Sequence, residues 1–172
     1  LLPNIWEPMG AALLENIGYK AVATGSGAVA NTNGYADGEK MPVDEVFRVV
    51  ETIVKAVNIP ITVDFEAGYH SNHKELEENI EKLIDIGVVG LNIEDSDPVT
   101  GKMITIENQC DKIKIIRDVS ARRGVDVFIN ARTDAYIHGA STEAGYAISE
   151  SLKRGEAYKK AGAHCIYPIT MH

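Results

Sequence analysis

Short β-branched runs alternate with longer amphipathic runs along the whole chain, and no hairpin dipeptide joins one strand candidate to the next. The strand candidates are residues 1–5, 21–24, 59–63, 89–93, 125–130 and 165–169. Between them, 42–57 places Val43, Val46, Phe47, Val50, Ile53, Val54 and Val57 on one face of a helix. Residues 72–86 do the same with Leu76, Ile80, Leu83 and Ile84, and Glu and Lys fill the other face. Asn72 is a good N-cap with Glu75 three residues on, and Gly87 fits the stop position. The stretches 104–120 and 142–161 read as further helices, with Arg122, Arg123, Lys159 and Lys160 near their C-terminal ends. Strict β-α alternation implies parallel strands with helices outside them. It leaves two architectures, an open doubly wound sheet or a closed (β/α) barrel, and both bind ligands at the C-terminal ends of the strands.

Those ends are polar. "VDFEAGYH" closes the third run with Asp64 and Glu66, which would share a face if the strand continued through them. The other ends add Ser26 in "TGSG", Asp37 in "GYADGEK", Glu94 and Asp95 in "EDSDPVTGKM", and Arg132 in "ARTDAY". Acids that close adjacent parallel strands converge into an oxygen-rich site suited to a hard divalent cation. The competing expectation is that each acid caps a helix or pairs with Arg132. Around Ser26, Gly25 and Gly27 would let backbone N–H groups approach an anion; a plain turn is the alternative. His70 and His73 lack an H-E-x-x-H pattern and are expected at a solvated helix terminus.

The 172 residues suffice for one domain with a real core. A net charge of −8 argues against nucleic acid as a partner, since phosphate binding wants a basic face. No run approaches the roughly eighteen apolar residues of a membrane span. Cys110 and Cys165 lie far apart, form no metal-ligand pattern and fall at apolar positions. Two buried thiols and a reducing, cytoplasmic setting are therefore expected.

The motifs "VDFEAGYH", "GLNIEDSD", "INARTDAY" and "GYADGEKMP" together resemble the isocitrate lyase/phosphoenolpyruvate mutase superfamily. The likeness runs from "LPNIWEPMGAALLENIGYKAVATGSGAVA" to "GEAYKKAGAHCIYPI". It implies a (β/α)8 TIM-type barrel that binds Mg2+, with Mn2+ as the alternative ion. Such a barrel makes or breaks C–C or C–P bonds beside a 2-oxo acid or phosphonate, through an enolpyruvate-type intermediate. By the same resemblance, Asp64 is the direct metal ligand, with Glu66 and Glu94 held mostly through waters. Gly25, Ser26, Gly27 and Ala28 bind the substrate's carboxylate and oxo group, Arg132 clamps the acidic substrate, and Asp37 sits on a gating loop. A homo-oligomer, tetramer or dimer, is the family's common state.

Two departures shape the expectation. The family's isocitrate-type lyases carry a K-[KR]-C-G-H loop after the fourth strand, and "DSDPVTGKM" has neither its cysteine nor its histidine. That points to a lyase, hydrolase or decarboxylase of the mutase-like group; the alternative is an inactive barrel serving as a binding or assembly protein. His70 also stands where the family more often has glycine. With about six β-α units present, the expected architecture is a single, incomplete barrel over 1–172, lacking a leading helix and the last two units.

Overall fold

The computed structural model describes residues 1–139 and 145–170. Six strands form one all-parallel sheet: β1 (Asn4–Ile5), β2 (Val22–Thr24), β3 (Ile61–Asp64), β4 (Gly90–Glu94), β5 (Phe128–Thr133) and β6 (Cys165–Pro168). Their spatial order follows the chain, β1-β2-β3-β4-β5-β6. A doubly wound sheet reverses its order at a switch point, and this one never does, so the strands are consecutive staves of an incomplete (β/α) barrel. Among the described residues seven helices lie between the strands: α1 (Pro8–Ile17), α2 (Ser26–Thr32), α3 (Val43–Val54), α4 (His73–Ile86), α5 (Ile106–Arg123), α6 (Ala135–Gly139) and α7 (Tyr146–Ala161). The predicted helix over 142–161 is found from Tyr146; its residues 142–144 lie outside the described residues. Among the described residues no helix is long and apolar enough to cross a membrane.

Alternation along the central strands separates two faces. Ile61, Val63, Leu91, Ile93, Ile129 and Ala131 are buried and belong to the same core as Ile53 of α3, Leu76, Ile80 and Leu83 of α4, and Ile113 and Ile116 of α5. The intervening positions, Thr62, Asp64, Asn92, Glu94, Asn130 and Arg132, are partly exposed on the opposite, inner face. Register aligns Asp64 with Asn92, Asn92 with Asn130, and Glu94 with Arg132, and the Asn130 amide donates to Asn92 Oδ1 at 2.7 Å. Gly90 lies one layer below, and a side chain there would press on Thr62 Oγ1 at 2.9 Å and on the Phe128 carbonyl at 3.2 Å.

Local chemistry sets the element ends. Asn72 caps α4 by accepting the Glu75 N–H, and Gly87 ends it in the left-handed region. Glu75 reaches one residue further back than a capping box would, to the N–H and hydroxyl of Ser71. Helix α1 is capped by Glu7, with Pro8 at its first position. The cysteine expectation fails: Cys110 is half-buried and Cys165 is exposed. Cys165 starts β6, a strand paired on one side only among the described residues, so its surroundings are thinner than those of the central strands.

Helix α7 is tied to β4 by a buried ionic cluster. Asp95, fully buried, accepts from Arg154 at 2.9 Å and from the Tyr158 hydroxyl at 2.6 Å, and Arg154 also donates to the Ile104 carbonyl at 3.0 Å. Removing one partner of such a pair strands a charge in the interior. Arg154→Met is expected to destabilise the protein by about 3–5 kcal/mol in urea unfolding, and Tyr158→Phe by about 1 kcal/mol. Equal midpoints for wild type and Arg154→Met would contradict this account.

Candidate active site

β3 and β4 run one residue further than their apolar pattern predicts and β5 three, which places Asp64 and Glu94 at the last positions of β3 and β4 and Arg132 within β5. Because the staves are parallel, these ends lie side by side on the inner face. Asp64 Oδ2 accepts the Ser26 hydroxyl at 2.9 Å and the Ser26 N–H at 3.2 Å, leaving Oδ1 without a partner among the described residues. Glu94 Oε2 lies 2.8 Å from an Arg132 terminal nitrogen. Arg132 also grips Asp134, through Nε at 2.7 Å and through its other terminal nitrogen at 3.3 Å. Asp134 accepts the Ser96 hydroxyl at 2.7 Å and donates its own N–H to Asp95 Oδ1 at 2.9 Å. Asp95 therefore leaves the inner face and serves as structural support; its partners are Arg154 and Tyr158 of α7, where a helix cap or Arg132 was the alternative for a strand-end acid.

Glu66 reaches the site by a different route from the one its spacing suggests. β3 ends at Asp64, and Glu66 sits in a turn with φ +48°, so the turn and not strand alternation aims it. It is only 4% exposed. One carboxylate oxygen accepts the Glu39 N–H at 2.7 Å, and the other accepts the Tyr69 hydroxyl. Glu39 returns the contact by accepting the Tyr69 N–H at 2.8 Å, which draws the 37–40 loop against the turn. Asp37 is exposed on that loop, and its carboxylate lies 3.1 Å from where a Cβ at Gly27 would stand. Gly27 is therefore a position where a side chain would displace Asp37. Ser26, for which a plain turn was the alternative, opens the short helix α2, with Gly25 as its N-cap.

Burial first, and like charge after it, weigh on the cluster. Burial, only partly countered by Arg132, pushes the Glu94 carboxyl up to about 8, and Asp134, Asp64 and Glu66 add to the effect. Burial also raises Glu66, against the bonds from Tyr69 and Glu39. Lys112, reaching in from α5, is pulled down to about 8 by its own burial while the neighbouring acids oppose that.

No three His, Cys, Asp or Glu side chains among the described residues are grouped to hold a metal ion by themselves. Each acid already has a protein partner: Ser26 for Asp64, Tyr69 and Glu39 for Glu66, Arg132 for Glu94. A cage of three direct carboxylates does not fit this arrangement. One direct carboxylate with waters does, because Asp64 keeps an oxygen free and a cation would relieve the charge felt at Glu94. That is the coordination Mg2+ prefers.

Tyr69, within "VDFEAGYH", carries much of this geometry together with Glu39, Asp134 and Lys112, which were not singled out by sequence reasoning. Glu39 and Asp134 at least lie within the motifs "GYADGEK" and "ARTDAY"; Lys112 lies in none. The loop after β4 is self-contained: Asp97 accepts the N–H groups of Val99 and Thr100 at 2.9 and 2.7 Å, and Ser96 bridges Met103.

With this geometry in place, the comparisons with known proteins become specific. The phosphoenolpyruvate phosphomutase family model matches residues 1–172. The chain belongs to that family. It is 28% identical to the phosphoenolpyruvate phosphomutase of Tetrahymena pyriformis, over 92% of this chain and 53% of the relative. The crystal structure of a candidate phosphonomutase from Burkholderia cenocepacia J2315 superposes with a TM-score of 0.91 at 39% identity, covering 96% of this chain and 67% of that one. A phosphonopyruvate hydrolase in complex with oxalate and Mg2+ shares the fold at a TM-score of 0.84 and 23% identity, over 99% of this chain and 59% of that one. The chain thus spans about half the length of the curated relatives it matches.

His70 corrects one expectation. His73 is exposed at the first position of α4, but His70 is half-buried beneath the Gly68 turn, and its Nδ1 has no partner. Burial, with help from the charges of Lys112 and His73, lowers its pKa to about 4. An imidazole held neutral in the fold favours the native state above its ordinary pKa. That contribution is lost as pH falls from about 6.5 toward 4, where the unfolded chain takes up the proton first. Urea midpoints at pH 7 and pH 4.5 should therefore differ more in wild type than in His70→Asn; equal differences would remove His70 from the pH response.

Proposed function

We propose that this chain forms the site of a Mg2+-dependent enzyme, with Mn2+ as the alternative ion. The reaction class is cleavage of a C–C or C–P bond next to a 2-oxo acid through an enolpyruvate-type intermediate. The observation that carries the reading is the juxtaposition on one inner face of Asp64, with a free carboxylate oxygen, beside Glu94 and Arg132. Family membership and the oxalate and Mg2+ bound by the related hydrolase support the same assignment.

In this reading Asp64 Oδ1 is the direct ligand, and Glu66 and Glu94 act through waters. The metal supplies Lewis-acid polarisation of the substrate's carbonyl and carboxylate. Ser26 bonds the Asp64 carboxylate, and Gly25, Ser26, Gly27 and Ala28 would receive the oxo-acid end. Arg132 spends part of its donor set on Glu94 and Asp134, and N–H groups remain on its terminal nitrogens for a substrate carboxylate. Asp37, held over Gly27, is placed to cover the bound substrate or to take part in the chemistry.

The loop after β4 narrows the reaction. Its sequence, "DSDPVTGKM", holds no cysteine or histidine, so no proton carrier of that kind comes from it. Decarboxylation or hydrolysis of oxaloacetate or phosphonopyruvate is favoured over isocitrate-type cleavage.

Mg2+ with oxalate should raise the thermal midpoint of the wild type and leave Asp64→Ala unmoved. With Mg2+, turnover of oxaloacetate or phosphonopyruvate should fall about 100-fold or more in Arg132→Ala. Oxalate binding without turnover of either compound would favour an inactive binding barrel. Identical thermal behaviour of wild type and Asp64→Ala would sink the metal assignment.

A further inference from the structure

Helix α5 turns two buried polar side chains toward the sheet, Gln109 and Lys112, three residues apart on one helix face. The Gln109 amide donates to the Ile93 carbonyl at 3.1 Å. Lys112 Nζ donates to the Glu94 carbonyl at 2.8 Å and to the Ala67 carbonyl at 3.1 Å. Lys112 is only 4% exposed, and no carboxylate among the described residues lies within ion-pair distance of it. Burying an ammonium is expensive, and an apolar side chain of similar volume often serves a core at least as well. Helix packing alone does not account for a lysine here.

The two carbonyls belong to the two segments that present acids. The Glu94 carbonyl closes β4. The Ala67 carbonyl lies in the turn where Glu66 holds φ +48° and Tyr69 φ +51°. Non-glycine residues stay in that region only where their surroundings over-determine them. The Glu94 N–H adds a bond to the Glu66 carbonyl at 2.8 Å, so the turn and the strand end are stitched together from both sides of Glu94. Behind the stitch, the ammonium lies close enough to Glu94, Asp95, Glu39 and Asp97 to feel their charges.

We propose that Lys112 is a positioning residue for the metal site: it pins the 65–69 turn to the end of β4, and so fixes how Glu66 and Glu94 face Asp64. The proposal rests on the metal reading above, and its test separates the two. Mn2+ is the probe, with free ion followed by electron paramagnetic resonance during titration of the whole chain. Lys112→Met should raise the Mn2+ dissociation constant about 10- to 100-fold, the usual effect of losing a group that orients a ligand. Lys112→Arg keeps the charge and donors and faces a cleft of about 740 Å3 shared with His70 and Asn108; it should recover most of the affinity. Lys74→Met, an exposed lysine on the same cleft, should bind Mn2+ as the wild type does.

Hydrogen exchange supplies the second reading. Amides of residues 66–69 and 94 should exchange about tenfold faster in Lys112→Met, with α3 unchanged. Should Lys112→Met fail to fold, Lys112→Gln takes its place in both measurements. Wild-type Mn2+ affinity with unchanged exchange in the variant overturns the positioning role and leaves the metal reading standing. A wild type that takes up no Mn2+ overturns the metal reading, and the exchange result alone then decides whether Lys112 pins the turn.

Discussion

Arg132 sits between two carboxylates, Glu94 on the neighbouring strand and Asp134 just past the end of its own, and most of the inner face is arranged around that contact. A carboxylate at the end of β4 is costly because it is buried, and Asp134, Asp64 and Glu66 press on it with like charge; Arg132 offsets only part of this. The remainder can be met by protonation, by water or by a bound cation. The support behind the arginine is layered. Asp134 is oriented by Ser96 and by Asp95, and Asp95 is oriented by Arg154 and Tyr158 of α7. A helix on the outer layer thereby helps to fix a guanidinium on the inner one.

A second support line runs through Lys112. It reaches in from α5 to the carbonyls where β3 and β4 have ceased to pair regularly, while Glu39 and Tyr69 occupy the oxygens of Glu66. The two lines enter from neighbouring helices and meet at Glu94, one through its side chain and one through its backbone carbonyl. A parallel barrel makes this economical, because the strand ends and the N-terminal turns of the helices share one rim. Glu66, Asp95, Ser96, Lys112, Asp134 and Arg154, all buried, cluster at that rim, and the helix-facing layer below it is largely aliphatic.

How much of this was legible in sequence depends on the residue. Asp64, Glu94 and Arg132 were legible because each ends or nearly ends a β-branched run, and parallel pairing alone carries such residues to one side. Glu66 was legible as an acid near the site but not by its route, since a left-handed turn leaves no trace in hydrophobic alternation. Asp95 looked equal to Glu94 on paper, yet one step along a strand end sends it to the opposite face and into the Arg154 pair. Lys112 was invisible: a lysine in an amphipathic helix ordinarily reads as solvated. Cys165 read as buried because apolar context was taken as burial, and β6 has a neighbour on one side only among the described residues.

By itself the sequence determined the β-α order, the parallel sheet, the caps of α4 and the placing of acids at strand ends, because these follow from periodicity and from side chains a few residues apart. It also carried the family, through four spaced motifs. Tertiary structure alone decided that Glu66 is aimed by a turn, that Arg132 is shared between Glu94 and Asp134, and that Lys112 faces inward. Each of these depends on groups from separate segments meeting in space, where burial turns a polar side chain from a surface residue into a support.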